Sequence, residues 1–251
     1  MGNVLCCEGD QDADACMDTL QSSKSPYRQE EAASGLADLA RVKASHRDKE
    51  WISHAIPILV EALTSGRSLG VQEQAARALA NLTVADTVNS GRIVDAGGVP
   101  ALVGLVSSTH DPSGSGRTQA ARALANMSVA NQVAAIRISE AGGVRALMTA
   151  LLDEGAGGWL EEGAFMHAEV AGAIANLAAA DARICQEILG HVVAVPRLQM
   201  LAQSADEPVR AQARRALVDL SEQSARARQA LQDADAFMKQ RALIQAYGRS
   251  P

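Results

Sequence analysis

The chain has 251 residues, 47% of them hydrophobic but only 2% aromatic, and carries a formal net charge of −6. An apolar content that is aliphatic and rich in alanine favours closely packed helices over a β-sandwich. The acidic balance and the scarcity of rings exclude general nucleic-acid binding, which needs a basic footprint and stacking platforms.

The chain opens Met-Gly-Asn-Val-Leu-Cys-Cys. Removal of Met1 would expose Gly2, the obligatory acceptor for N-myristoylation, although the usual Ser or Thr at position six is Cys6 here. One myristoyl chain binds membranes only marginally, so stable anchoring needs a second signal. A polybasic patch is not that signal, because Glu8, Asp10, Asp12, Asp14 and Asp18 precede the first basic residue, Lys24. Cys6 and Cys7 remain as acceptors for palmitoyl, while Cys16 stands further off amid acids. The plain alternative is a polar tail with chance cysteines. Residues 1–28 are expected to form an acylated, acidic, flexible leader, followed by a repeat domain over 29–247 and a disordered tail at 248–251. With no stretch of eighteen apolar residues, no helix is expected to span a bilayer. Cys6, Cys7, Cys16 and Cys185 have neither disulfide-framework nor zinc-ligand spacing, which fits a reduced, intracellular chain.

Beyond the leader the chain repeats itself. AARALANL at 75–82 returns as AARALANM at 120–127, and IVDAGGVPALVGLV at 93–106 returns as ISEAGGVRALMTAL at 138–151, both 45 residues on. Weaker copies place Asn176 in VAGAIANL (170–177), Asp219 in ARRALVDL (213–220) and Asp38 in ASGLADL (33–39). Five units result. In the best-kept unit a short helix (about Ser90 to Ala96) ends at the Gly-Gly step Gly97-Gly98, and Val99-Pro100 opens a second helix. A third helix (Val71 to Val84) sets Ala75, Ala78, Leu79 and Leu82 at helical spacing. None of the three buries its apolar face alone, so the units must stack. The first unit lacks the Gly-Gly step, and the last runs into a polar stretch, as capping units should. Two connections are enlarged. Residues 107–117 read as a flexible Gly/Ser/Pro segment, and residues 153–163 carry Trp159, either an exposed anchor for a partner or a ring folded back on its neighbours.

The units I-V-D-A-G-G-V-P-A-L-V and A-A-R-A-L-A-N-L resemble armadillo repeats, in order and in spacing, over roughly residues 30–225. The resemblance implies an all-α, right-handed helical solenoid of about five repeats. It also implies that third helices line a concave groove in which Asn81, Asn126, Asn176 and Asp219 form a ladder able to bond an extended peptide backbone. Those side chains either do that or bond neighbouring helices. One turn earlier stand Arg77, Arg122, Gly172 and Arg215, where importin-alpha usually has Trp. An arginine-lined groove should repel a basic localisation signal and accept acidic, carboxylate-bearing segments, unless the arginine stems merely cover apolar surface.

An acylated start followed directly by armadillo repeats resembles the armadillo-repeats-only proteins of apicomplexan parasites and the fungal vacuolar armadillo scaffold. That resemblance implies a lipid-anchored scaffold recruiting motor or tethering factors to the cytosolic face of an organelle membrane, vacuole-like or secretory, or to the plasma membrane. The alternative is a soluble adaptor that binds extended peptides, importin-like in mode but not for basic signals. Catalysis has little to rest on. His46, His54, His110, His167 and His191 are dispersed, and no P-loop, HExxH or GxSxG motif occurs. No cofactor and no metal is expected, and the partners are proteins and a membrane rather than nucleic acid.

Overall fold

A computed structural model of the chain describes residues 10–43, 50–64, 67–111, 113–153, 161–225, 229 and 232. Gly2, Cys6, Cys7, Trp159 and the tail at 248–251 therefore lie outside the described residues. Among the described residues there are thirteen α-helices and no strand. In order these are α1 (Asp10–Ser22), α2 (Pro26–Lys43), α3 (Glu50–Thr64), α4 (Leu69–Leu82), α5 (Thr87–Asp95), α6 (Gly98–Val106) and α7 (Ser115–Ser128). Then come α8 (Gln132–Glu140), α9 (Gly143–Leu152), α10 (Glu161–Ala180), α11 (Ala182–Gly190), α12 (Ala194–Leu201) and α13 (Glu207–Gln223).

The three-helix unit recurs as α5-α6-α7, α8-α9-α10 and α11-α12-α13, and the third helices α2, α4, α7, α10 and α13 pack side by side along the array. Among the described residues the second unit has one helix, α3, where later units have two, and that helix runs on through Pro57. The fifth unit also lacks a Gly-Gly step, yet its α11 and α12 are separate. Where the step is present, its two glycines do different things. Gly97 and Gly142 sit at φ 74° and 80°, left-handed angles that L side chains rarely adopt. Gly98 and Gly143 turn their α-carbons onto the preceding helix, where a β-carbon would lie 2.6 Å and 2.5 Å from the Cγ2 of Ile93 and Ile138. One glycine makes the turn and the next lets the helices close.

Residues 10–22 depart from the expected flexible leader. They form α1, and the repeat domain begins there rather than at residue 29. Ala13, Cys16, Met17 and Leu20 are buried at spacings of three and four, while Asp14 and Asp18 face out. An amphipathic period is thus hidden inside an acidic composition. The carboxyl end of α1 is capped as in a second helix: Arg67 donates to the Leu20 carbonyl at 2.6 Å, much as Arg117 donates to Val106 of α6 and Arg197 to Leu151 of α9.

In the connection at 107–117, the described residues 107–111 and 113–117 are tied together by hydrogen bonds, where composition led one to expect a flexible segment. Asp111 accepts hydrogen bonds from the backbone N–H groups of Gly114 and Arg117 and from the Ser113 hydroxyl. That carboxylate closes the loop onto the start of α7 as an Asx turn does.

The glycine reading is tested by two substitutions. Gly143→Ala should lower unfolding stability in urea by about 1–3 kcal/mol, since its methyl must displace Ile138. Gly104→Ala, within α6 and with nothing near its added carbon, should raise stability by about 0.5–1 kcal/mol.

Candidate functional site

The third helices run parallel, and their contacts recur in register. Of the marker residues (Asp38, Asn81, Asn126, Asn176 and Asp219), the asparagines Asn81, Asn126 and Asn176 face the preceding third helix. Asn81 Nδ2 donates to the Ala37 carbonyl at 2.9 Å, Asn126 Nδ2 to Ala80 at 2.9 Å, and Asn176 Nδ2 to Ala125 at 2.8 Å. Each acceptor is the residue just before the previous marker. The amides therefore tie one repeat to the next, and Asn81 and Asn176 are 4% and 7% exposed. Asp219 closes the series with a carboxyl, which has no N–H to donate in its ionised form.

The arginines one turn earlier complete the same ladder. Arg77 donates to the Asp38 carboxylate, Arg122 Nη2 to Asn81 Oδ1 at 3.1 Å, and Arg215 Nη2 to Asn176 Oδ1. Each thus reaches back to the preceding marker. Arg215 also lies 3.7 Å from Asp219 on its own helix. The arginines are interleaved with carboxylates rather than forming a bare cationic strip, which corrects the picture of an arginine-lined groove. Burial pushes the Glu169 carboxyl above its ordinary range, against the pull of the Arg122 guanidinium. Asp219 is likewise raised by burial, with Arg215 lowering and Glu222 raising it.

One rung is missing. Gly172 stands where the fourth unit would carry its arginine, so no guanidinium reaches Asn126 Oδ1 from α10. The side chain of Gln212 leans into the space instead, its Oε1 lying 3.2 Å from where a β-carbon on Gly172 would be. Asn126 is accordingly only half-buried, unlike Asn81 and Asn176.

Two turns before each marker lies a further polar row that the motif search overlooked: Glu31, Gln74, Gln119, Glu169 and Gln212. Its signal was available, since Glu or Gln recurs seven residues before every marker. Gln74 Oε1 and Gln119 Oε1 are buried with no hydrogen-bond partner among the described residues. One turn further back, Tyr27 and Phe165 are 73% and 64% exposed. At the first end of the face, Tyr27, Glu30, Glu31, Ser34, Gly35, Asp38 and Gln74 line a hollow of about 280 Å³.

Chemistry of other kinds finds no centre among the described residues. No group of three or more metal-ligating side chains occurs, and no helix is long and apolar enough to cross a membrane. His167 is buried with Nε2 3.2 Å from the Asp153 carbonyl, an internal role. Cys16 and Cys185 are buried thiols that form no disulfide among the described residues.

Comparison with known proteins agrees with this architecture. The family model for the Armadillo/beta-catenin-like repeat matches residues 45–84 and 88–129. The crystal structure of an engineered protein is 32% identical, with a TM-score of 0.77 over 93% of this chain and 89% of that one. A designed armadillo repeat protein in complex with the peptide (KR)4 is 25% identical, with a TM-score of 0.71 over 92% of this chain and 90% of that one. An armadillo-repeats-only protein from Plasmodium falciparum shares the fold at 17% identity, with a TM-score of 0.66 over 88% of this chain and 98% of that one. No curated protein is matched by the sequence. Stacked three-helix units with recurring Gly-Gly steps and an asparagine ladder, matched by the repeat's own family model and by designed proteins of that fold, place this chain in the armadillo-repeat family.

Proposed function

We propose that this armadillo-repeat protein is a non-enzymatic scaffold held on the cytosolic face of an organelle membrane by acyl groups at Gly2, Cys6 and Cys7. It takes an extended partner segment across its third-helix face. The observation that carries the second half is the gap at Gly172. The ladder engages Asn81 and Asn176 from both sides, whereas Asn126 keeps a carbonyl oxygen to offer to a peptide N–H. One turn before it stands Arg122, with guanidinium donors beyond the one given to Asn81, and about two turns before Gly172 on α10 is the exposed ring of Phe165. A backbone amide on Asn126, a carboxylate on Arg122 and an apolar side chain against Phe165 describe an extended, acid-containing segment. The designed relative is solved with a basic peptide; here Arg77 and Arg215 are paired with Asp38 and Asp219, and the argument for an acidic residue in the partner rests on Arg122 alone.

The Gly2, Cys6 and Cys7 cluster supports the anchored half, because one acyl chain is too weak alone and the acidic residues that follow rule out an electrostatic second signal. Gly2→Ala expressed in cells should move the protein from the membrane fraction to the soluble one. Undiminished membrane partition would overturn Gly2 as the anchor, and a parent protein already in the soluble fraction would leave the soluble-adaptor reading in its place.

The groove is tested by closing its gap. Gly172→Arg supplies the missing rung to Asn126, and its β-carbon meets only the far end of Gln212. Peptides selected on the parent protein from a displayed random library should bind this variant about tenfold more weakly, with thermal stability unchanged or raised. Equal affinity for parent and variant would place recognition elsewhere.

A further inference from the structure

Four valines are exposed at equivalent positions of two consecutive repeats. Val84 and Val129 follow the markers Asn81 and Asn126 by three residues, and Val88 and Val133 follow them by seven. They are 46%, 48%, 62% and 67% exposed. The turn that presents them is the same in both repeats. Ala85 and Ala130 hold φ at 53° and 50°, a left-handed conformation that costs a residue with a β-carbon. Asp86 and Asn131 then cap α5 and α8 by accepting from the backbone of Asn89 and Ala134. Asp86 at this edge is therefore engaged as a cap; the flanking positions in the neighbouring repeats carry Arg41 and Arg183, the latter paired with Asp181 at 3.4 Å. An apolar centre lies along the edge at which the third helices end, with charged residues of both signs around it, among them Asp10, Asp12 and Asp14 at the start of α1.

The start of the described chain lies at that same edge. The carboxyl end of α1 sits beside the start of α4, fixed by the 2.6 Å bond from Arg67 to the Leu20 carbonyl. A short connection at 23–25 turns α1 antiparallel to α2, which runs parallel to α4. At 1.5 Å per residue α1 and α4 are both about 20 Å long. The amino end of α1, Asp10, is thereby carried to the edge where α4 ends and Val84 begins the turn. Cys7 lies three residues before Asp10. An extended chain covers at most about 3.5 Å per residue, so this link spans about 10 Å.

We propose that this edge of the solenoid is seated on a lipid surface. Val84, Val88, Val129 and Val133 lie at the boundary between headgroups and acyl chains, with Arg41 and Arg183 at the headgroup level on either side. The proposal rests on the acylated reading of Gly2, Cys6 and Cys7 and adds an orientation to it. An acyl chain on Cys7 brings Asp10 within about 10 Å of the leaflet, and the surface nearest to it along the array is the valine edge. The third-helix face then stands on its side, its rows running parallel to the membrane.

The test uses the full chain, N-myristoylated, with vesicles of phosphatidylcholine. A single myristoyl chain is marginal, so any contribution of the edge is visible in the bound fraction. Val88→Glu with Val133→Glu should lower vesicle binding about tenfold. Thr109→Glu with His110→Glu, at the opposite edge, should leave it within twofold. All four sites are exposed, and circular dichroism checks that the fold is kept. Hydrogen exchange of the bound parent chain should show added protection at 83–89 and 128–134 and none at 107–111. Anchoring that survives the valine substitutions unchanged, with no added protection at that edge, overturns the orientation and leaves the anchor standing. If valine variants retain vesicle binding but lose a protein partner, the edge is a protein-docking surface and the lipid proposal is overturned. Equal vesicle binding by myristoylated and unmodified chains removes the anchored reading and this proposal with it.

Discussion

Adjacent armadillo units can slide past one another unless something fixes their relative height, and aliphatic packing alone does so poorly. In this chain the asparagine side chain does it. Its amide donates to a carbonyl towards the carboxyl end of the preceding third helix, in the last turn for Ala80 and Ala125, one residue before the equivalent marker. A helical carbonyl has a second lone pair, so it accepts this bond without breaking the helix. Because Asn81 and Asn176 are almost wholly buried, a shift of one residue would strand a donor away from water at a cost of about 1–3 kcal/mol per rung. The other regularities hang on this register. The arginine one turn earlier reaches the previous marker only at this height, and the row two turns earlier lines up for the same reason.

The repeat was legible in the sequence because its physical causes are local. A turn that needs left-handed backbone demands glycine, and a β-carbon that would strike isoleucine demands a second glycine next to it. Such demands survive as a written motif. The array was counted from its recurring markers, Asp38, Asn81, Asn126, Asn176 and Asp219, and the stacked helices follow. What stayed hidden was of two kinds. In α1, acidic residues dominate the composition, yet Ala13, Cys16, Met17 and Leu20 carry the packing; the period matters and the average misleads. In the groove, the side chains were identifiable but their partners were not. Arg77, Arg122 and Arg215 read as ligand-facing cations, whereas each is drawn towards the marker of the neighbouring unit, a contact about 40 residues away in sequence. Loop 107–117 shows the same limit, since one aspartate ties together a segment that reads as flexible.

The ladder also shows why a binding face and a stabilising face can be the same surface. A guanidinium has five donors and an amide carbonyl two lone pairs, so one inter-repeat bond leaves capacity over. Recognition on this face draws on that remainder. It is smallest at Asn81 and Asn176, where burial and arginine meet, and largest at Asn126.

A strictly periodic ladder is degenerate to its ligand: a peptide shifted by one repeat meets the same groups and binds as well. The glycine at position 172 lifts that degeneracy. For a segment bound as proposed, that one different rung makes the energy depend on where along the array the segment starts. The array would thereby have an origin, from which such a ligand is read in one frame rather than sampled in several.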